Sequence, residues 1–143
     1  MKAKVFLDTA YAIALSVETD RCHELARELA DEIEKRKVKT ITTRAVLLEI
    51  GNALSRAYFR KAAVALLDSL ERDKNVIIEP FSDELFASTL QLFRSRMDKK
   101  WGMIDCVSFV AMKQHGIFES LTIDQHFQQA GFIPLMRQDS TSL

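Results

Sequence analysis

Four acidic residues stand alone in apolar stretches of this 143-residue chain: Asp8, Glu49, Asp105 and Asp124. Each is the only formally charged residue across at least eleven consecutive positions, which predicts that its segment is buried. An isolated buried carboxylate must protonate, find a cation or gather hydrogen bonds. No lysine or arginine lies in any of the four segments to serve as a partner.

Carboxylates that converge in one notch repel each other, and this repulsion raises a pKa unless a cation intervenes. Mg²⁺ is typically held by a few carboxylates together with water and substrate phosphates, and Mn²⁺ suits the same ligands. Neither the two cysteines, Cys22 and Cys106, nor the three histidines have the spacing of a zinc site. The chemistry implied is metal-dependent hydrolysis of a phosphodiester.

Each acidic residue taken singly has a simpler interpretation. Asp8 precedes a helix and Asp105 lies near the start of another, so either can be a helix cap or a hydrogen-bonded core group. The interpretation as a shared site rests on all four occurring together at strand ends or helix positions.

The elements that must position these residues alternate between strand and helix. Gly and Pro together number only six, which favours long helices over a many-turned β-sandwich. Strands are predicted at residues 4–7, 38–42, 75–79, 121–123 and 132–133. Helices are predicted at 10–17, from a cap at Thr19 or Asp20 to 37, at 43–54, 59–72, 82–93 and 104–115, with a helical turn at 127–130. The alternation favours an α/β fold with a parallel sheet covered on both faces, and the polar tail from Arg137 is expected to be loose.

Ligands of such sheets bind at the carboxyl ends of the strands, where the strand order reverses. Asp8 ends the first predicted strand and Asp124 ends the fourth. If these strands are neighbours, the two side chains face each other. Asp105, in the first turn of the preceding helix, and Glu49, on the helix after the second strand, can reach the same notch.

Length, charge and cysteine content limit the classes of protein to which this chain can belong. The chain has the size of one domain, taken as residues 1–143, and 20 basic residues balance 20 acidic ones, so a globally basic nucleic-acid surface is not expected. The two distant cysteines indicate a reducing compartment. No apolar run is long enough for a membrane span, and the N-terminus does not resemble a signal peptide. We therefore expect a cytoplasmic protein without membrane attachment.

The segments that carry the four acidic residues resemble those of PIN-domain ribonucleases, and within that family the VapC-type toxins of toxin–antitoxin pairs. Each piece alone is weakly specific, but their order and spacing together are specific. Gly102 departs from the small polar residue that relatives often have. The four pieces are Val5 to Thr9, Thr42 to Glu49, Trp101 to Val110 and Leu121 to Phe127.

The resemblance implies a PIN-like three-layer α/β/α sandwich with a parallel sheet of about five strands. It implies an endoribonuclease that uses Mg²⁺ or Mn²⁺, with Asp8, Glu49, Asp105 and Asp124 as catalytic and metal-binding residues. RNA is the implied substrate, a cognate antitoxin protein the implied inhibitor, and a homodimer the implied assembly.

Polar residues near the four acids have open roles. Thr9 and Thr122 could bond a carboxylate or a metal-bound water, or could serve only as a cap and a strand former. Ser108 could support Asp105, and His126 could approach the notch. Other residues that could contact RNA or the site's edge are Arg44, Arg56, Arg60, Lys61, Asp98, Lys99, Lys100 and Trp101, although Trp101 could equally pack on the core.

Two other functions remain open from the sequence. The same fold could be a protein-binding module with a vestigial acidic pocket, although such a pocket need not keep all four carboxylates. A phospho-acceptor receiver also uses a strand-end aspartate and Mg²⁺. A receiver would need a lysine at a later strand end, and Lys99 and Lys100 do not follow a predicted strand.

Overall fold

A computed structural model describes residues 1–137 of the chain, so the predicted loose tail after Arg137 lies outside the described residues. Within this range the chain forms five strands and seven helices. The strands are β1 (Lys4–Leu7), β2 (Lys39–Thr43), β3 (Val76–Glu79), β4 (Glu119–Leu121) and β5 (Ile133–Pro134). The helices are α1 (Thr9–Ser16), α2 (His23–Arg36), α3 (Arg44–Ala53), α4 (Ala57–Arg72), α5 (Asp83–Ser95), α6 (Met103–Gln114) and α7 (Gln125–Gln129).

All five strands are parallel, and their order across the sheet is β3-β2-β1-β4-β5. The central strand β1 pairs with β2 on one side and with β4 on the other, so that Phe6 lies beside both Ile41 and Ser120. The strand order therefore reverses between β1 and β4. This arrangement confirms the expected α/β fold and the adjacency of the first and fourth strands.

The connections divide the helices between the two faces of the sheet. Parallel crossovers are almost always right-handed, so the path β1–β2–β3 places α1 to α4 on one face, and the return from β3 to β4 places α5 and α6 on the other. The contacts agree, because α1 packs against α2, α3 and α4, whereas α5 packs against α6. Helix α3 also contacts α6, which brings together two of the helices that carry candidate acidic residues.

The core follows from this layering. Strand β1 is covered on both faces, and its apolar residues Val5, Phe6 and Leu7 are buried. Beneath α6 the ring of Phe109 contacts those of Trp101 and Phe127 at centroid distances of 5.0 Å each. These aromatic side chains support the polar residues at the carboxyl edge of the sheet.

Several predicted boundaries are confirmed by the structure. The side chain of Thr43 accepts a hydrogen bond from Val46 N at the start of α3, and Ser82 caps α5 through Leu85 N in the same way. Gly116 follows α6 with a φ of 65°, the left-handed conformation that glycine adopts after a helix end.

Other predicted boundaries are wrong: α7 spans Gln125–Gln129 instead of 127–130, and β5 spans Ile133–Pro134 instead of 132–133. Three further differences affect helix starts or the site. The second helix does not start from a cap at Thr19 or Asp20: it begins at His23, because the Asp20 carboxylate accepts a hydrogen bond from Cys22 N and forms a turn first. Asp8, rather than Thr9, occupies the position before α1.

The fourth strand is the third of these corrections. It spans Glu119–Leu121 instead of 121–123, since Thr122 N bonds back to Ser120 O and turns the chain away from β1. Asp124 therefore lies three residues beyond the strand and caps α7 instead of ending β4.

Candidate functional site at the switch point of the sheet

Asp8 lies at the carboxyl end of β1, at the point where the strand order reverses. Its side chain is buried, and its Oδ2 accepts a hydrogen bond of 2.7 Å from the hydroxyl of Thr122 beyond β4. The same Thr122 hydroxyl oxygen accepts a hydrogen bond of 3.1 Å from Asp124 N. One threonine therefore links the predicted first and fourth acidic residues across the gap between β1 and β4.

Electrostatics at Asp8 are unfavourable for a carboxylate. Burial raises its pKa to about 6, and hydrogen bonds from Thr122 and the backbone of Thr9 oppose that rise only in part. The negative charges of Glu49 and Asp105 raise the pKa further, so both carboxylates lie close enough to repel Asp8. A positive charge near Asp8 would relieve this cost.

Asp105 lies in the first turn of α6, as predicted, and 21% of its side chain is exposed. Its Oδ2 accepts a hydrogen bond of 3.1 Å from Gly102 N, the residue before the helix. Glycine has no side chain to return a hydrogen bond, so this is only the carboxylate half of a capping box. The same oxygen lies 3.0 Å from Nδ1 of His126. Local helix capping thus fixes the carboxylate, and a residue from α7 contacts it.

Asp124 precedes α7 and caps it. Its Oδ1 accepts a hydrogen bond of 2.8 Å from His126 N and lies 3.5 Å from Nδ1 of the same histidine. Ligand atoms of Asp105, Asp124 and His126 all lie within 4.8 Å of one another. The structure thus brings two of the four predicted acids into direct proximity and adds a histidine between them.

Glu49 is joined to the site through Thr9. The Thr9 hydroxyl donates a hydrogen bond to the Glu49 carboxylate, so the helix after β2 reaches the start of α1. Glu49 does not belong to the group formed by Asp105, Asp124 and His126. Asp8 likewise lies outside this group, and the charge of Glu49 is close enough to raise the pKa of Asp8.

Both predicted threonines therefore bond carboxylates, whereas Ser108 does not support Asp105. Within residues 1–137, the hydroxyl of Ser108 is buried without a hydrogen-bond partner, as is that of Ser120. His126 does approach the notch, but its contact with Asp105 could not be derived from the sequence, because it depends on the turn that leads into α7.

The residues considered for RNA contact are partly engaged elsewhere. Arg44 forms an ion pair with Glu71, and the Arg60 guanidinium donates to Ser55 O. Trp101 packs in the core with 5% exposure, and its indole N–H donates to the side chain of Gln129, so it is not available to stack on a base.

Asp98 is paired away from the site. Hydrogen bonds from the Arg96 guanidinium, each 3.0 Å long, lower the pKa of Asp98 to about 2. Within the described residues, Asp98 is not part of the group that could hold a metal ion. Asp98 is therefore a surface carboxylate outside the site, against which a substitution of Asp8 can be compared.

The donor set at the switch point fits a hard divalent cation. It consists of two carboxylates, from Asp105 and Asp124, with the imidazole of His126, and the group is partly open to solvent. Oxygen ligands of this kind suit Mg²⁺ and Mn²⁺, which leave further positions for water and phosphate.

The comparisons with known proteins agree with this geometry. The family profile of the PIN domain matches residues 5–133. The 23S rRNA-specific endonuclease VapC20 of Mycobacterium tuberculosis is 26% identical over 129 residues, which cover 90% of this chain and 95% of that protein.

Solved structures show the same likeness. The crystal structure of VapC20 from Mycobacterium tuberculosis, described as a toxin that cleaves the sarcin–ricin loop, matches with a TM-score of 0.79 at 25% identity over 90% of this chain and 96% of that one. FitAcB from Neisseria gonorrhoeae matches in fold alone, with a TM-score of 0.62 at 17% identity over 91% of this chain and 94% of that one. Across the described residues, no helix is long and apolar enough to cross a membrane.

Proposed function

Because this chain belongs to the PIN domain family, we propose that it is an endoribonuclease that needs Mg²⁺ or Mn²⁺ and acts as the toxin of a toxin–antitoxin pair. Hydrolysis of RNA phosphodiester bonds is the proposed reaction. The endonuclease VapC20 supports this reaction as a relative that aligns over nearly the whole chain.

The observation that carries the proposal is the buried carboxyl group of Asp8 at the switch point. Burial and the charges of Glu49 and Asp105 raise its pKa to about 6. Keeping an ionisable group buried at this position costs stability, and the apolar core does not need it. Such perturbed groups in a cleft are typical of functional sites. We assign Asp8, Glu49, Asp105 and Asp124 as the residues that hold the metal and support catalysis.

A divalent ion held by these carboxylates would supply positive charge to the scissile phosphate and would make an attacking water more acidic. The contribution of the chain is to hold the ligands in place before the RNA arrives. Thr122 orients Asp8, and Thr9 orients Glu49. The backbone N–H groups of Gly102 and His126 orient Asp105 and Asp124 in turn, so little reorganisation is needed when the ion and the substrate bind.

The partners follow from the same family. RNA is the proposed substrate, and a cognate antitoxin protein is the proposed inhibitor that covers the acidic site. We further propose that the protein is a homodimer, which sedimentation of the purified protein would test. We also propose that it acts on RNA in the cytoplasm.

The decisive experiment compares RNA cleavage by the wild type, Asp8→Asn and Asp98→Asn with Mg²⁺ or Mn²⁺ and with EDTA. Asp8→Asn removes a ligand charge without changing side-chain size, so we expect the rate to fall roughly 100-fold or more. Asp98→Asn changes an exposed carboxylate paired with Arg96, so its rate should match the wild type.

Cleavage that survives both EDTA and Asp8→Asn would refute the proposed activity. A protein that neither cleaves RNA nor gains thermal stability with Mg²⁺ would instead be a binding module of the same fold.

A further inference from the structure

The imidazole of His126 lies between two of the proposed metal ligands. Its Nδ1 is 3.0 Å from Oδ2 of Asp105 and 3.5 Å from Oδ1 of Asp124. About a quarter of the side chain is exposed, so the ring is accessible to an ion without opening the core.

The chain places the ring there through local backbone geometry. Asp124 precedes α7, and its carboxylate accepts the backbone N–H of His126 two residues later. That turn directs the imidazole toward Asp105, which is itself held by Gly102 N at the start of α6. Two helix starts thus converge on one nitrogen and two carboxylate oxygens.

The separations match those of ligands bound to one ion. Adjacent ligands of an octahedral ion with bonds of about 2.1 Å lie about 3.0 Å apart. The distances from Nδ1 to the Asp105 and Asp124 oxygens are 3.0 and 3.5 Å, and ligand oxygens of the two aspartates lie within 4.8 Å of each other. A single ion could therefore accept all three atoms after side-chain shifts.

We propose that His126 is a metal ligand of this site and that its nitrogen makes the site prefer Mn²⁺ over Mg²⁺. The inference rests on the proposed divalent-metal site. Mg²⁺ takes oxygen ligands almost exclusively, whereas Mn²⁺, although the weakest binder of the divalent first-row transition metals, also accepts a nitrogen ligand. A site of carboxylates alone would discriminate less between the two ions.

The competing role for His126 is positioning. Its ring N–H would then donate a hydrogen bond to Asp105 and would not touch the ion. The two roles predict different spectra and different metal preferences, because a hydrogen-bond donor supports Mg²⁺ and Mn²⁺ alike.

Pulsed electron paramagnetic resonance of the protein loaded with Mn²⁺ tests the ligand directly. A coordinated imidazole produces spin-echo modulation from ¹⁴N, which changes to the ¹⁵N pattern when the wild type is made with ¹⁵N-labelled histidine. This labelling needs no substitution. We expect the signal to disappear in His126→Asn. It should persist in His115→Asn, because His115 pairs with Glu79 and does not belong to this site.

Metal affinities measured by calorimetry give the second test. Asparagine can place an amide N–H near the position of Nδ1, so His126→Asn keeps a hydrogen-bond donor for Asp105 but removes the ring nitrogen. We expect Mn²⁺ affinity to fall about tenfold or more, with Mg²⁺ affinity changed much less. In His115→Asn both affinities should match the wild type.

The outcomes separate this inference from the proposed function. Mn²⁺ that binds and supports RNA cleavage without histidine modulation would overturn the role of His126 and leave the nuclease intact. Mn²⁺ and Mg²⁺ affinities that stay unchanged or fall by the same factor in His126→Asn would assign the positioning role instead. A protein that binds neither ion would overturn the metal-dependent function itself.

Discussion

Asp8 carries a linkage between pH and stability. An unperturbed aspartate titrates near 3.8, and burial raises the pKa of Asp8 to about 6 in the folded protein. Well below pH 3.8 the carboxyl group is protonated in both the folded and the unfolded protein, so its burial carries no penalty for a buried charge. As the pH rises from 3.8 through 6, the unfolded chain releases the proton first, so the metal-free protein loses stability across this window.

We expect Asp8→Asn to make the metal-free protein more stable at pH 8. Asparagine cannot ionise, and its amide oxygen can accept the Thr122 hydrogen bond. A shift from 3.8 to about 6 corresponds to at most about 3 kcal/mol. Urea unfolding in EDTA measures the gain, which should nearly vanish at pH 4, where wild-type Asp8 is largely protonated. An equal difference at pH 4 and pH 8 would mean that the charge of Asp8 is not its cause.

At this scale the sequence identified the acidic residues but not all their contacts. Asp8, Glu49, Asp105 and Asp124 could be predicted because a lone charge in an apolar segment is a local signal. The contact of His126 with Asp105 joins residues 21 positions apart through two helix starts, so it could not be derived from spacing.

Helix α3 links the hydrogen bond that caps its start to the position of Glu49 in the site. Thr43 ends β2 and caps α3, and Glu49 lies on the same helix. Helix α5, capped by Ser82, carries none of the four acids. The two caps form the same kind of hydrogen bond, but only the helix capped by Thr43 carries a proposed metal ligand.

Removing either cap should cost roughly 1–2 kcal/mol of stability, since a helix N–H loses its partner. Thr43→Ala should also weaken Mg²⁺ binding, because the start of α3 that positions Glu49 frays. Ser82→Ala should leave Mg²⁺ affinity unchanged. Urea unfolding and calorimetry of both variants measure these effects, and matched losses of affinity in the two variants would contradict a specific role for α3.

Most helix boundaries could be predicted because caps are local, as at Thr43, Ser82 and Gly116. The position of β4 could not, because its three residues are fixed by pairing with β1 over more than a hundred residues. The start of α2 was misplaced for a local reason, since Asp20 can either cap a helix or close a turn, and here it closes a turn.

At the scale of the whole molecule, a cluster of aromatic rings joins α6 and α7 to the sheet. Phe109 on α6 contacts Trp101, Phe127 on α7 and Phe132, with centroid distances from 5.0 to 5.6 Å. Phe127 in turn lies 6.4 Å from Phe6 on the central strand. This cluster connects the helices that carry Asp105 and His126 to the sheet.

We expect Phe109→Ala to destabilise the protein by about 3–5 kcal/mol, because it opens a cavity among packed rings. Phe93→Ala, on a helix position with 43% exposure, should cost under about 1 kcal/mol. Urea unfolding compares the two. A small loss for Phe109→Ala would show that the cluster does not stabilise the fold.

The place of β4 between β1 and β5 has a consequence for biosynthesis. The hydrogen bond between Asp8 and Thr122 joins residues 114 positions apart, and the first three-quarters of the chain contain neither Thr122 nor Asp124. While Thr122 and Asp124 are still inside the ribosomal exit tunnel, the nascent chain cannot complete this acidic pocket. Any function that depends on the complete pocket therefore begins only after the segment with Thr122 and Asp124 has emerged and β4 has paired with β1.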